Sequence, residues 1–427
     1  MGKRKWTLTI LLMILLASFC VVTPEWRVYA ASSSADDWSM FHHDPSHTGY
    51  TNSTAPTTTP VVLWTFRTNW SITSSPAVAD GYVYVTDTGG NFYCLNASTG
   101  TQIWAARGVG SPAVYGGVVY VGYNLITAYN ASTGDKIWSD QTTFASGGRS
   151  PVVVEGVVYT SFDGAYAYNA STGAKIWNYT TGGIYSSPAV ANGYVYFGGY
   201  RVLAINASTG TKIWQYTPDY QSTQSYREGS PAVYGGYVYT GLSDNFYCFD
   251  ALTGTKIWNY SKGALSSSPA VAGGYVYFGG YDSNVHALNA STGAKIWNYT
   301  TGYVVDSSPA VADGVVYVGS GDGNLYALNA STGAKLWNYT IRLGSFAGGS
   351  DYIFASPAVA NGVIYMGSTD GVVYALGTSS NSTTSPSPSP PIPEFPNQIV
   401  GTTLFVSLLL VTSATVIVKK RTTRKTQ

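Results

Sequence analysis

Charge is scarce in this chain. Only 10% of its 427 residues are Asp, Glu, Lys or Arg. Cytoplasmic proteins usually carry more. Of the 22 Lys and Arg, nine lie at the two ends: Lys3, Arg4, Lys5 and Arg27, then Lys419, Lys420, Arg421, Arg424 and Lys425. Glu25 is the one acidic residue that goes with them, so the remainder of the chain carries about −7. Recognition of a phosphate backbone needs a basic surface, and nucleic acid is therefore excluded as a partner. Cysteine is scarce too, with Cys20, Cys94 and Cys248 only. There is no adjacent pair of cysteines. Nor is there a Gly-x-Ser-x-Gly nucleophile elbow, a His-Glu-x-x-His zinc motif or the spaced acidic ligands of an EF-hand. Asp322-Gly323-Asn324 and Asp370-Gly371 read instead as hairpin turns.

What the chain has is a repeat. Ser307–Thr340, SSPAVADGVVYVGSGDGNLYALNASTGAKLWNYT, recurs in variants from about Pro60 to Leu376. Each copy holds a small-residue segment, an aromatic and β-branched segment, an alternating segment and a short one centred on Trp. Such runs, bounded by Asn-Gly and Asp-Gly, predict four strands joined by tight turns. Four short strands at a period near forty residues predict a propeller blade. The proline recurs at Pro76, Pro112, Pro151, Pro188, Pro231, Pro269, Pro309 and Pro357. The tryptophan recurs at Trp64, Trp104, Trp138, Trp177, Trp214, Trp258, Trp297 and Trp337. Both series count eight, but they are offset. Trp64 precedes every proline, and no Trp follows the last unit, Ser356–Leu376. An all-β, eight-bladed ring in which Val61–Arg67 completes the last blade explains both facts, and closure hides the open edges of a linear stack. Small residues suit the crowded axis. Each indole can bury against the next blade. Cys94 and Cys248 sit at equivalent places in the first and fifth blades, across the axis, too far apart for a disulfide. They are expected as free thiols.

Residues 1–30 read as a signal peptide, with a basic start, an apolar run and Val28-Tyr29-Ala30 before the cut. Residues 31–60 are an N-terminal clasp and connector. Within it, His42, His43 and His47 with Asp44 offer metal-ligating chemistry. Trp38, Met40 and Phe41 favour packing on the ring instead, so no metal is expected. Residues 61–377 form the propeller. Residues 378–397 are a stiff Ser/Thr/Pro linker. Residues 398–418 are long and apolar enough for a transmembrane helix. Residues 419–427 form a basic tail, which favours the cytoplasmic side and turns the propeller outward. Pro393-Glu394-Phe395-Pro396 resembles an archaeal sorting signal, after which the span is cut off and replaced by a lipid.

Asn-x-Ser/Thr triplets begin at Asn52, Asn69, Asn96, Asn130, Asn169, Asn178, Asn206, Asn259, Asn289, Asn298, Asn329, Asn338 and Asn381. In an exported chain they are glycosylation acceptors, with Asn52 and Asn381 the most accessible. The repeated asparagines can also cap their turns.

The stretch from Ala327 through Asn329, Thr332 and Gly333 to Trp337 is repeated at Ala287–Trp297 and Ala167–Trp177. It resembles the tryptophan-docking motif of the PQQ (pyrroloquinoline quinone) repeat β-propellers, Ala-x-Asp-x-x-Thr-Gly-x-x-x-Trp. Asn mostly replaces the Asp, which Asp250 keeps. The segment Asp36–Tyr50 is similar to the opening of secreted archaeal surface propellers of this kind. The resemblance covers about three-quarters of the chain. It implies a fold, while the family's roles range from quinoprotein dehydrogenases to assembly scaffolds.

A site on such a ring is expected at the channel mouth, in the loops entering the innermost strands. Three of these are long, Ser139–Ser150, Gln215–Ser230 and Asn338–Ser356. They carry Arg149, Asp219, Tyr220, Tyr226, Arg227, Glu228, Arg342, Asp351 and Tyr352. Residues that break the repeat on one face suggest binding. The expected function is a non-catalytic, monomeric, membrane-anchored module on the cell surface that binds a protein or glycan partner. The alternative is a PQQ- and calcium-dependent dehydrogenase. The family's enzymes hold calcium with acidic and amide groups and often set adjacent cysteines over the quinone; the nearly identical blades here leave little room for such a pocket.

Overall fold

The computed structural model describes residues 37–122, 126–140, 149–162, 164–180, 184–218, 229–242, 245–261, 267–341 and 352–378. The expected signal peptide, linker, membrane span and tail lie outside these residues. No helix among the described residues is long and apolar enough to cross a membrane.

Eight antiparallel sheets make eight blades, seven of four strands and one, blade 7, with a short parallel fifth strand added at its inner edge. Blade 1 runs outward from Ala77–Ala79 through Tyr82–Thr86 and Asn91–Asn96 to Gln102–Arg107. Most of the innermost strands are three residues long, and each brings a buried pair of small residues, Ala-Val or Val-Val, to the crowded axis. The first hairpin of blade 1 turns at Asp80 and Gly81, both at positive φ (51° and 80°). Two left-handed residues match the twist of the flanking strands. Blade 8 takes its outer strand from the other end of the chain. Val61–Arg67 pairs with Val372–Gly377, from Val61 opposite Gly377 to Arg67 opposite Val372. The ring is thus closed as the offset of Pro and Trp predicts.

Each blade docks on the next through one carbonyl. The Trp104 indole N–H donates to the Ala131 carbonyl at 2.9 Å, and the Tyr84 hydroxyl donates to the same oxygen at 3.1 Å. Trp258 and Tyr239 share Ala290 in the same way, and Trp297 and Tyr277 share Ala330. Both lone pairs of the carbonyl are therefore used. The indole lies flat on a glycine of the next blade's turn; a Cβ on Gly134 would stand 2.7 Å from Trp104. Blade 8 has no such turn, because its third and fourth strands come from opposite ends of the chain. Trp337 and Tyr317 of blade 7 donate to Pro56 instead.

A second circuit links the blades at the entry to their innermost strands. The Ser75 amide donates to the Ser111 hydroxyl at 2.9 Å, and the Ser111 amide to Ser150 at 3.3 Å. The pattern continues from Ser150 to Ser187, Ser230, Ser268, Ser308 and Ser356. The Ser356 amide returns to the Ser75 hydroxyl at 3.2 Å. All eight serines are buried. Ser230→Ala removes the acceptor of the Ser187 amide and leaves a buried donor unmet. It should cost about 1–3 kcal/mol in urea unfolding. Ser208→Ala, on an exposed turn, should stay within about 0.5 kcal/mol.

The N-terminal segment threads the ring. Trp38 exchanges main-chain hydrogen bonds with Val78 of blade 1. The carbonyls of Ser39, Pro45, Ser46, Thr48 and Gly49 then accept the amides of Val114, Val190, Val233, Val271 and Val311 in turn, at 2.6–2.8 Å. Each of these valines follows the alanine of the inner strand, in blades 2, 4, 5, 6 and 7. Tyr50–Thr51 then pairs in parallel with the inner strand of blade 7. The segment circles the axis in blade order, and Trp38, Met40, Phe41, His42 and His47 are buried beneath it.

Candidate functional site

The two mouths of the channel differ. Each inner strand runs from its interblade loop, beside the serine circuit, to the hairpin turn that opens the blade. The N-terminal segment lies at the hairpin end. Asp44, Pro45, Ser46 and Thr48 border a cleft of about 890 Å³ with the hairpin residues Glu155, Asn192 and Tyr234 of blades 3 to 5. The interblade loops belong to the opposite mouth.

Of the loop residues expected to form a site, Arg149 and Tyr352 are described. Asp219, Tyr220, Tyr226, Arg227, Glu228, Arg342 and Asp351 lie outside the described residues. Burial pushes the Arg149 guanidinium below its usual value, against the opposing influence of Tyr185. Tyr352 belongs to an aromatic row. Its ring stacks on Tyr303 at 5.7 Å and on Phe354 at 5.0 Å. Tyr303 is 49% exposed, and Trp70, in the loop from blade 8 to blade 1, is 57% exposed. Glycine makes both placements possible. A Cβ on Gly321 would stand 2.5 Å from the Tyr303 ring, and one on Gly89 would stand 2.3 Å from Trp70. Tyr185 and Tyr200 add an edge-to-face pair at 5.0 Å. The sequence reading missed Trp70 and Tyr303. The signal for Trp70 was present, since it falls outside the Trp repeat.

The carboxylates near this mouth are engaged by their own turns. Asp87 accepts the Tyr93 hydroxyl and the Asn91 amide. Asp322 accepts the Tyr326 hydroxyl and the Gly302 amide, at 2.6 and 2.7 Å. Asp370, fully buried, is bound by Ser368 and Val372 and stands 3.9 Å from Arg67. His286 takes the place of the tyrosine against Asp282, at 3.0 Å. These pairs brace hairpins, which is the role the sequence reading gave to Asp322-Gly323-Asn324 and Asp370-Gly371.

The histidine-rich stretch is built into the other mouth. The His42 and His47 rings lie 6.2 Å apart with Phe41 against both. His47 Nδ1 lies 3.2 Å from the Pro231 carbonyl. His43 stands 3.5 Å from Asp44. Burial pushes His42 down to about 3 and His47 down to about 4, so both are neutral at pH 7. Asp44 binds the Ser46 amide and the Thr48 hydroxyl, which fix the turn. No group of three or more His, Cys, Asp or Glu able to hold a metal occurs among the described residues. Cys94 and Cys248 are buried free thiols, pushed up to about 12 by burial.

Eight blades, a shared Trp-Tyr dock and Asn/Asp-capped turns define a PQQ-type β-propeller. The family described as outer membrane protein assembly factor BamB matches residues 56–159, 122–262 and 244–384, and the chain belongs to it. BamB from Moraxella catarrhalis is 20% identical, with a TM-score of 0.61 over 74% of this chain and 99% of that one. Quinohemoprotein alcohol dehydrogenase ADHIIG from Pseudomonas putida HK5 is 16% identical, with a TM-score of 0.66 over 86% and 84%. The computationally designed Ika8 protein is 16% identical, with a TM-score of 0.60 over 74% and 99%. At these identities the likeness is one of fold. No curated protein matches the sequence.

Proposed function

We propose that the protein is a non-catalytic, membrane-anchored binding or scaffold module of the cell surface, and that it captures its partner at the mouth formed by the interblade loops. One observation carries this reading. The N-terminal segment occupies the opposite mouth through backbone bonds to the inner strands of six blades, which leaves the loop mouth with the exposed rings of Trp70 and Tyr303. Aromatic side chains give large contact area at small entropic cost, and they are enriched at interfaces. The family's assembly-factor description favours a protein partner over a glycan. The sequence supplies the rest of the reading, namely an export signal ahead of the ring and an apolar span with a basic tail behind it.

The test places a photo-crosslinking amino acid at Tyr303 on the loop mouth and, separately, at Ser208 on the opposite face, in full-length protein in intact envelopes. A discrete adduct is expected from position 303 and none from position 208. The reverse result overturns the assignment of the face. The competing dehydrogenase reading predicts a saturable rise in melting temperature that needs PQQ and calcium together; none is expected.

A further inference from the structure

Asn381, one of the two acceptors expected as most accessible, lies outside the described residues; the other twelve sequons fall into structurally distinct groups, and the two largest behave differently. Asn96, Asn130, Asn169, Asn206, Asn289 and Asn329 cap the turn between the third and fourth strands. The amide oxygen of Asn96 accepts the amides of Ser98 and Thr99, both at 3.0 Å, and the Thr99 hydroxyl at 3.2 Å. The other five are held by the same two amides. Asp250, which lacks a sequon, accepts the corresponding bonds from Leu252 and Thr253. The oxygen is therefore what the turn uses. The turn is also pinned by the neighbouring blade's indole, which rests on Gly100 at φ +71°. Drawing these asparagines into an enzyme's active site would break the cap and lift the Trp dock with it.

Asn178, Asn259, Asn298 and Asn338 lie instead on outermost strands, which are open edges. An open edge is extended backbone that another protein can bind by strand addition. Two of the four are tied down. The Asn298 and Asn338 side chains donate to Asn284 and Asn324 of the adjacent strand at 3.1 Å, and the sequon hydroxyls of Thr300 and Thr340 donate to the same oxygens. The other two are exposed, and their side chains bind only their own sequon hydroxyls. Asn178 donates to Thr180 at 3.3 Å, and Asn259 to Ser261 at 3.2 Å.

We propose that Asn178 and Asn259 are N-glycan acceptors and that the six turn asparagines are unmodified structural caps. The inference rests on the export reading above. The co-reactant is an oligosaccharide linked through diphosphate to a lipid. A bond forms between Asn Nδ2 and C1 of the first sugar, the amide gives up one proton, and the C1–O bond breaks to release the lipid diphosphate. Each glycan would stand two residues along the strand from an exposed isoleucine, Ile176 or Ile257 (47% and 46%), which is the unpaired residue of a bulge. It would cover the apolar part of an edge that otherwise invites pairing.

Two arms test this with the full chain. In the first, a secreting, N-glycosylating host makes the protein, and occupancy of each sequon is read by glycopeptide mass spectrometry. In the second, folded unmodified chain is treated with a purified oligosaccharyltransferase and a lipid-linked oligosaccharide. Higher occupancy at Asn178 and Asn259 than at any cap asparagine is expected in both. Thr180→Ala should abolish the glycan at Asn178 alone. Equal or greater occupancy of the caps, or an exported chain bare at both edges, overturns the proposal. A chain retained inside the first host counts against the export reading, and the second arm then decides the site order by itself.

Discussion

Between pH 7 and pH 4 the N-terminal segment is expected to come away from the channel mouth while the blades stay paired. His42 and His47 are neutral in the folded protein, with values of about 3 and about 4 against an ordinary 6.5. Above pH 6.5 neither the seated nor the released segment takes up these protons, so the two states are balanced as they stand. As pH falls below 6.5 the released imidazoles protonate and the buried ones do not. Stability is lost down to about pH 4 for His47 and about pH 3 for His42. At pH 4 each histidine contributes about 3 kcal/mol of destabilisation.

The groups facing the two rings do not reverse this. Burial dominates both shifts. The Asp44 carboxylate favours protonation of each ring, and the two rings oppose each other at His42. Burial works against the Asp44 carboxylate itself, but hydrogen bonds with His43 and Thr48 outweigh it and hold it below its ordinary value, so its loss on acidification acts in the same direction. Hydrogen exchange should show early acid exposure of the Val114, Val190 and Val233 amides ahead of the outer ladders. Replacing His42 and His47 together by Leu should remove most of that response. Coincident acid profiles for the two proteins would show that the imidazoles are not its cause.

Trp258→Ala should destabilise the ring by about 3–5 kcal/mol, the range for emptying a large aromatic site. The indole is buried, donates to Ala290 at 3.0 Å and packs beside Tyr239 and Phe246. Tyr239→Phe removes only one hydrogen bond to the same carbonyl and should cost about 1 kcal/mol. The double variant Trp258→Phe with Tyr239→Phe should cost more than the two singles together, because only then does the buried Ala290 oxygen lose both donors. Chemical denaturation of the four proteins checks this. Strict additivity would mean that the tyrosine and tryptophan do not share an acceptor in solution.

The architecture was legible in the sequence because it repeats. The offset between Pro76 and Trp64 at one end, and between Pro357 and the missing tryptophan at the other, already contains the ring closure. The eight tryptophans were legible as packing residues. Their tyrosine partners, from Tyr84 to Tyr365, were equally regular, yet the shared carbonyl belongs to a neighbouring blade and leaves no mark of its own. The serine circuit was visible only as small residues before proline, because its donors are main-chain amides. The path of the N-terminal segment was hidden for a related reason. It is set by the carbonyls of Ser39, Pro45, Ser46, Thr48 and Gly49, which any residue possesses. Side chains signalled only that Trp38, Met40 and Phe41 would be buried. The exposed rings at the loop mouth depend on Gly89 and Gly321 making room for Trp70 and Tyr303, a relation between distant turns that a linear reading does not show.

The serine circuit leaves the number of blades open as far as bonding is concerned. Every blade brings one amide and one hydroxyl, and all the bonds point the same way round. A gene that gained or lost one repeat by unequal recombination would still encode a circuit with every donor and acceptor matched. Hydrogen bonding is therefore indifferent to such slippage.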